Sequence, residues 1–235
     1  MELPAIAEGE IIIRYVVDDC GMQRDAFSIS YDIGNKQPFW VAYDLTESEL
    51  VGDNSRKGKN YRPDDNANVP QADNNDYRNS GWTRGHLAPA ADFKWSDEAL
   101  TDTFYYTNCS PQSEYFNQTS WERLEKRVRD WANKYGTLYI VTGPIIGDNS
   151  NGWIGANQIT VPDAFYKAIL AKDNDNNYQA IGFIMENISS PQPYTSCCVT
   201  VDEVELITGL DLFHNLDDSI ESAVESSCDL RFWGI

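Results

Sequence analysis

The chain has 235 residues, enough for one sizeable core, and its 41% hydrophobic and 12% aromatic residues exclude an intrinsically disordered protein. No apolar run approaches the roughly 18 residues of a membrane helix, which predicts a soluble protein without a membrane span. The formal net charge of −19 argues against nucleic-acid binding, because phosphates normally require a basic surface.

The charges are unevenly distributed along the chain. Residues 202–229 include acidic residues but no lysine or arginine. The middle of the chain contains a basic group, which consists of Arg78, Arg84, Lys94, Arg123, Lys126, Arg127 and Arg129. No composition break divides the sequence, so we predict one domain over residues 1–235, with residues 1–10 as an N-terminal tail.

Cysteine usage bears on the location of the protein. Five cysteines indicate an oxidising compartment with one or two disulfides, and Cys228 is a candidate partner for Cys197 or Cys198. Residues 1–4 lack the basic and apolar regions of a targeting segment, so we expect the leader to be absent from this sequence. The predicted location is exported: periplasmic, at the cell surface or secreted.

The first predicted elements are strands. Residues 11–17 form one strand, and alternating apolar residues within 27–31 and 39–43, on either side of a break at 34–36, predict a hairpin. Residues 53–80 are rich in Asn, Asp, Gly and Pro, which predicts a long surface loop outside the core.

A helix is predicted next. Trp121, Leu124, Val128 and Trp131 recur at helical spacing and form an apolar stripe, and Gly136 provides the stop signal.

The rest of the chain alternates between strands and short helices. Strands are predicted at 138–142, 165–171 and 178–185, the last two as a hairpin. A capping box at residues 200–203 opens a helix, and residues 216–224 form another. The pattern predicts an α+β fold with a mainly antiparallel sheet.

Three side chains in the middle of the sequence suit phosphodiester hydrolysis. A neutral His86 can take a proton from an attacking water, and Gly85 permits a close backbone approach. Mg²⁺ prefers oxygen ligands and keeps several waters, so the Asn117 carboxamide with Glu125 holding a coordinated water would suffice. Because residues eight apart differ by about 80° around a helix, Asn117 must lie at or just before the helix start.

Each candidate also has a purely structural interpretation. Asn117 is suited to capping a helix, and Glu125 to a solvated ion pair. An isolated His86 often makes only a structural hydrogen bond. Arg84 and Arg62 are, by composition alone, ordinary surface arginines.

Five ordered motifs resemble the DNA/RNA non-specific endonuclease family of the ββα-metal (His-Me finger) superfamily. They are Arg84-Gly85-His86-Leu87-Ala88-Pro89, Asn108 with Ser110-Pro111-Gln112, Asn117 with Trp121 and Leu124-Glu125, Val141-Thr142-Gly143-Pro144, and Val199-Thr200-Val201-Asp202-Glu203. The resemblance covers most of the chain. It implies a central, mainly antiparallel sheet flanked by helices and the cleavage of DNA and RNA.

The resemblance also implies a role for each matching residue. His86 is the expected general base, Asn117 the direct ligand of Mg²⁺ or of Mn²⁺ in its place, and Glu125 the anchor of metal-bound water. Arg84 is expected to contact phosphate, and Arg62 to stabilise the transition state.

Two further positions enter through the resemblance. Asn108 is expected to support the catalytic site. Thr83 departs from the family, which usually has an aspartate immediately before the Arg-Gly-His sequence, so this position brings no negative charge.

We therefore expect a magnesium-dependent, non-specific endonuclease with DNA and RNA as partners, and a homodimer is one of the oligomeric states left open. The alternative is a catalytically weak or silent homologue that binds nucleic acid or protein, suggested by Thr83 and the net charge. An unrelated acidic domain that binds calcium through the Asp/Asn runs at 64–76 and 173–177 is a third hypothesis.

Overall fold

A computed structural model describes residues 3–19, 21–147, 151–172 and 177–235. The strands in chain order are β1 (Ile11–Asp19), β2 (Met22–Asp32), β3 (Gln37–Thr46), β4 (Thr83–His86), β5 (Cys109–Gln112), β6 (Thr137–Ile145), β7 (Trp153–Ile154), β8 (Ile159–Thr160), β9 (Ala164–Lys172), β10 (Tyr178–Glu186) and β11 (Cys198–Val199). The α-helices are α1 (Asn74–Tyr77), α2 (Asp97–Asp102), α3 (Glu122–Tyr135), α4 (Val201–Thr208), α5 (Asp218–Glu225) and α6 (Leu230–Trp233).

The centre of the fold is a seven-stranded sheet in the order β1-β2-β3-β6-β9-β10-β11, in which all neighbours are antiparallel. Both predicted hairpins are confirmed, because Ile29 lies opposite Val41 and Ile169 lies opposite Ile181. The turn of the second hairpin, residues 173–176, lies outside the described residues. The α+β fold and its mainly antiparallel sheet are therefore as predicted.

Helices cover both faces of this sheet. Successive strand residues point to opposite faces, and Ile140 belongs to a core shared with α3, whereas Val141 belongs to a core shared with α4. We call these the α3 face and the α4 face. Ile169 and Ala168 show the same division on β9.

Helix α3 confirms the predicted apolar stripe. Leu124, Val128 and Trp131 are buried, and the helix ends at Gly136, whose φ of 85° favours glycine. A wider, π-helical turn over Phe116–Trp121 precedes it and places its residues against the β4–β5 pair.

The loop over residues 53–80 differs from its prediction. Ala72 and Tyr77 are buried in a small core together with residues of β7 and β8. Asp76 accepts hydrogen bonds from the backbone N–H (3.0 Å) and the amide nitrogen (2.8 Å) of Asn157, which hold the segment in place. The prediction that this loop lies wholly outside the core is wrong, because Ala72 and Tyr77 pack against apolar residues of β7 and β8 that are distant in the sequence.

The C-terminal third follows its sequence signals. The Thr200 hydroxyl accepts from the Glu203 N–H at 3.2 Å, and Gly209 ends α4 in the left-handed conformation. The short helix α5 covers most of the predicted residues 216–224.

The described cysteines do not confirm the disulfide prediction. Cys109, Cys197, Cys198 and Cys228 are all free thiols, and Cys20 lies outside the described residues. In the part of the chain that the structure describes, no helix combines the length and hydrophobicity needed to cross a bilayer.

Candidate catalytic site

A β-strand pair and a helix form the frame of the site. Strand β4 pairs with β5 in antiparallel register, with Gly85 opposite Ser110. A Cβ atom at Gly85 would lie 2.1 Å from the Gln112 side chain, so only glycine permits this approach. The sequence signal at Gly85 therefore reflects strand packing around the neighbouring His86.

A cavity of about 1040 Å³ lies between this frame and the loop over residues 53–80. Four of the predicted site residues line it, namely Arg84, His86, Asn117 and Glu125. Its charged lining also includes the basic residues Arg56, Lys94 and Arg129 and the acidic residues Asp53 and Glu122. Basic residues thus outnumber acidic ones in the cavity, opposite to the balance of the whole chain.

His86 is held by a tyrosine that the sequence did not single out. The Tyr61 hydroxyl donates to the Arg84 carbonyl at 3.1 Å and lies 3.0 Å from Nδ1 of His86. Because a hydroxyl has one proton, Tyr61 must accept from Nδ1–H while it donates to Arg84. The lone pair of the imidazole is therefore on Nε2, which is buried and has no hydrogen-bond partner among the described residues.

The surroundings of His86 keep it neutral. Burial, and then the positive charge of Arg56, lower its pKa to about 3. The Phe104 ring packs edge-on against the imidazole, with ring centroids 4.9 Å apart. At neutral pH the ring is an unprotonated base with a defined tautomer.

The Asn117 carboxamide is oriented by Thr83. Its Nδ2 donates to the Thr83 hydroxyl at 2.9 Å, and Thr83 in turn donates to the Gln112 carbonyl at 2.9 Å. The same nitrogen lies 3.4 Å from the Arg84 carbonyl. Both donor positions are used, which leaves Oδ1 available as a ligand of a hard cation.

Asn117 is not a helix cap. It lies within the π-helical turn before α3 and so shares the cavity with Glu125, as the helical geometry required. The hydroxyl of Thr83 accepts the amide hydrogen bond without a negative charge, so the departure from the family motif leaves Asn117 oriented.

Glu125 lies among buried charges. Burial raises its pKa to about 7, and the positive charge of Lys167 opposes this shift. Asp92, which accepts from Arg129 at 2.8 Å and from Tyr43 at 2.9 Å, adds a like charge that raises it further. Glu125 is therefore a half-buried residue of the cavity, close to Arg129 and Lys167.

The two predicted arginines are separated. Arg84 lines the cavity, and its Nε donates to the Tyr106 hydroxyl at 3.1 Å. Arg62 does not line it; its guanidinium lies 4.0 Å from the Tyr105 ring centroid and 3.7 Å from Asp102. Neighbouring residues of an extended segment point in opposite directions, so Tyr61 faces His86 and Arg62 faces away.

Arg56 lines the cavity instead and is close enough to influence His86. The structure therefore does not bring Arg62 together with His86, Asn117 and Glu125. The sequence pattern around Arg56 and Arg62 does not predict which of them faces the cavity, because both lie in the same polar loop.

Asn108 has a structural place beneath the site. It is fully buried, its Oδ1 accepts from the Ala88 N–H, and its Nδ2 donates to the Ala88 and Thr103 carbonyls, all at 2.9 Å. These bonds fix the chain just after His86. Asn108 thus lies beneath the site without lining the cavity, and its supporting role stays a prediction.

Comparison with known proteins assigns the chain to a family. A model of the DNA/RNA non-specific endonuclease family matches residues 15–219. The chain belongs to the DNA/RNA non-specific endonuclease family. The family and enzyme class predicted from the sequence, a hydrolase that cleaves nucleic acids, are confirmed, and the hypothesis of an unrelated acidic domain is wrong.

Individual relatives agree with this assignment. The chain is 32% identical to mitochondrial endonuclease G of Homo sapiens over 80% of its length, and 35% identical to mitochondrial nuclease EXOG of Danio rerio over 86%. It is 34% identical to mitochondrial nuclease 1 of Schizosaccharomyces pombe over 79%. The chain spans 67%, 64% and 63% of these three proteins, or about two thirds.

A solved structure and the relatives' names settle two further predictions. A crystal structure of the EndoG/EndoGI complex matches 87% of this chain and 88% of its own, with 28% identity and a TM-score of 0.76. It confirms the predicted ββα-metal fold. The prediction of an exported protein is wrong, because endonuclease G, nuclease EXOG and nuclease 1 are all named as mitochondrial.

Proposed function

We propose that the protein is a magnesium-dependent endonuclease that hydrolyses DNA and RNA without base specificity. One observation carries the proposal: Nε2 of a neutral His86 lies unpartnered in the same cavity as the Asn117 carboxamide and the Glu125 carboxylate. A base beside two oxygen ligands suits metal-assisted hydrolysis of a phosphodiester.

In the proposed reaction, water attacks phosphorus while Nε2 of His86 takes its proton. The imidazole then carries a positive charge, and the Tyr61 hydroxyl accepts the hydrogen bond from Nδ1–H. Tyr61 is itself held by the Arg84 carbonyl, so the ring keeps its orientation during the transfer. The bond between phosphorus and the departing oxygen breaks as the new P–O bond forms, and the departing oxygen takes a proton from solvent water.

Arginine side chains in the cavity are suited to the phosphate. The Arg84 guanidinium is held by the Tyr106 hydroxyl and by the Asn74 side chain, at 3.3 Å from its oxygen. Arg56 adds a second positive charge near the base. Both can stabilise the charge that develops on the phosphoryl oxygens. These contacts involve the backbone of the substrate, so they favour cleavage without base specificity.

The oxygen donors fit a hard divalent cation. Asn117 Oδ1 would hold it directly, and Glu125 would hold one of its waters. When bound, Mg²⁺, or Mn²⁺ in its place, stabilises negative charge on the phosphate and on the leaving oxygen. Thr83, which suggested a silent homologue, instead supports Asn117 through a hydrogen bond, and this favours the enzyme over the binding module.

The direct test is digestion of supercoiled plasmid and of structured RNA, with added Mg²⁺, with excess EDTA, and with Mg²⁺ or Mn²⁺ restored. We expect both substrates to be cleaved, activity to disappear with EDTA and to return with either metal. Asn117→Ala should shift the magnesium requirement strongly upwards. Undiminished cleavage in excess EDTA would contradict the proposed mechanism.

A further inference from the structure

A group of three carboxylates lies on the α4 face of the sheet, opposite the α3 face. Asp202 and Glu205 are three residues apart on α4, so they project from the same side of that helix. Glu225 is the last residue of α5. An oxygen of each carboxylate lies within 4.8 Å of an oxygen of the other two.

Glu225 is the unusual member of this group. It is only 5% exposed, and its Oε1 has no hydrogen-bond partner among the residues that the structure describes. A buried carboxylate oxygen without a partner costs free energy unless a proton or a cation accompanies it. The oxygen therefore indicates an unfilled ligand position.

Surrounding charges increase the free-energy cost of leaving the ionised Glu225 carboxylate without a partner. Asp211 and Glu221 are near enough to act on Glu225, and His214 acts on Glu221. Burial, followed by the negative charges of Glu205 and its neighbours, raises the pKa of Glu225 to about 8. Residues 202–229 contain no lysine or arginine that could neutralise the group.

The chemistry of the ligands selects among cations. Ca²⁺ binds carboxylate oxygens in a flexible geometry at about 2.3–2.6 Å. Mg²⁺ demands near-ideal octahedral geometry and is reluctant to lose its waters, and Zn²⁺ prefers cysteine and histidine. Glu205 is already oriented, because its Oε1 accepts from the Leu212 N–H at 2.6 Å.

We propose that Asp202, Glu205 and Glu225 form a calcium site that links α4 to the C-terminal end of α5. The site is separate from the catalytic cavity and independent of the proposed function. Its role is structural: α4 and α5 pack on the same face of the sheet through Val201, Val204 and Val224, and the cation holds their carboxylates together.

The test uses the full chain carrying Asn117→Ala, which weakens cation binding in the catalytic cavity. After treatment with chelator, CaCl2 is added and thermal unfolding is followed. We expect a saturable rise in Tm on the order of 5 °C and a smaller response to MgCl2 at equal concentration. Isothermal titration calorimetry should show one calcium ion bound per chain in this background.

Variants locate the site. Glu225→Gln should abolish the calcium response, because it removes one of the three carboxylate ligands. Asp202 is exposed, so Asp202→Asn leaves the core intact. It should raise the calcium concentration that gives half of the Tm response about tenfold or more. Asp218→Asn makes the same charge change on an exposed residue of α5 and should keep the full response.

Two results would overturn the proposal. One is a Tm that does not respond to calcium, because an ion bound between α4 and α5 of the folded chain must stabilise it. The other is a calcium response that survives both Glu225→Gln and Asp202→Asn.

Discussion

The catalytic cavity and the acidic group on the α4 face each contain an ionisable side chain with a buried, unpartnered atom, but burial has opposite consequences for them. Burial disfavours the charged form in both cases, so His86 is kept as a neutral base whereas Glu225 is left as an acid whose pKa lies above its ordinary value. Their neighbours then differ. The cavity contains basic residues suited to a substrate's phosphates, whereas residues 202–229 around the acidic group contain no lysine or arginine.

The largest expected effect comes from replacing the histidine of each region by alanine. His86→Ala removes the proposed base and should lower kcat on plasmid DNA by about 10²–10⁴-fold. His214→Ala, on the exposed and acidic side, should leave kcat within about twofold.

Both variants should keep the circular dichroism spectrum of the parent protein. Equal losses of kcat for the two histidines would contradict the proposed division between the regions.

A pair of glycines compares packing in the two regions. Gly85→Ala places a methyl group 2.1 Å from the Gln112 side chain, where overpacking costs about 1–3 kcal/mol of unfolding free energy, and activity should be lost as β4 shifts. Gly209→Ala, at the end of α4, has no atom within 4 Å and should cost about 1 kcal/mol for its positive φ alone.

Urea denaturation and plasmid cleavage measure these two effects. If Gly85→Ala retained full activity, the close approach of β4 and β5 would not be needed for His86.

The pH dependence of activity should report Glu125 rather than His86. Glu125 must be ionised to hold metal-bound water, and burial raises its pKa to about 7. At limiting Mg²⁺, activity should therefore fall about tenfold for each pH unit below 7, because the ionised fraction falls by that factor. The pKa of His86, about 3, places its own titration far below this range.

A high Mg²⁺ concentration should move this acid limb, the fall in activity below pH 7, to lower pH. The cation favours the ionised carboxylate. In Glu125→Gln the acid limb should no longer move with the Mg²⁺ concentration, and much of the activity should be lost. An acid limb that is independent of magnesium concentration would count against the role of Glu125.

The smallest expected effect concerns Thr83. Thr83→Val removes the hydroxyl that orients Asn117, and the loss of one hydrogen bond worth about 1 kcal/mol should raise the Mg²⁺ concentration for half-maximal activity about fivefold. Thr83→Ser keeps the hydroxyl and should behave like the parent. A changed kcat at saturating Mg²⁺ with an unchanged magnesium requirement would show that Thr83 acts elsewhere.

Local signals explain which elements were predictable. Helix α3 and the hairpins are encoded by the period of their apolar residues, which depends only on near neighbours in the sequence. The prediction for the loop over residues 53–80 failed because Ala72 and Tyr77 are buried by β7 and β8, about 80 residues away. Composition cannot report such distant partners.

The residues of the site likewise divide into those that the sequence predicted and those that it missed. His86, Asn117, Glu125 and Arg84 lie in compact motifs, and the structure brings them into one cavity. Tyr61, Arg56 and Lys167 were missed, because their places depend on how the loop and β9 fold against those motifs.

The sequence by itself determined the family, the antiparallel sheet, helix α3 and the group of residues suited to phosphodiester hydrolysis, because each depends on residues close together in the chain. Only the tertiary structure decided that Tyr61 contacts His86, that Arg56 rather than Arg62 lines the cavity, and that Glu225 meets Asp202 and Glu205. These outcomes depend on contacts between distant segments, which are fixed by the packing of the whole chain and not by any local pattern.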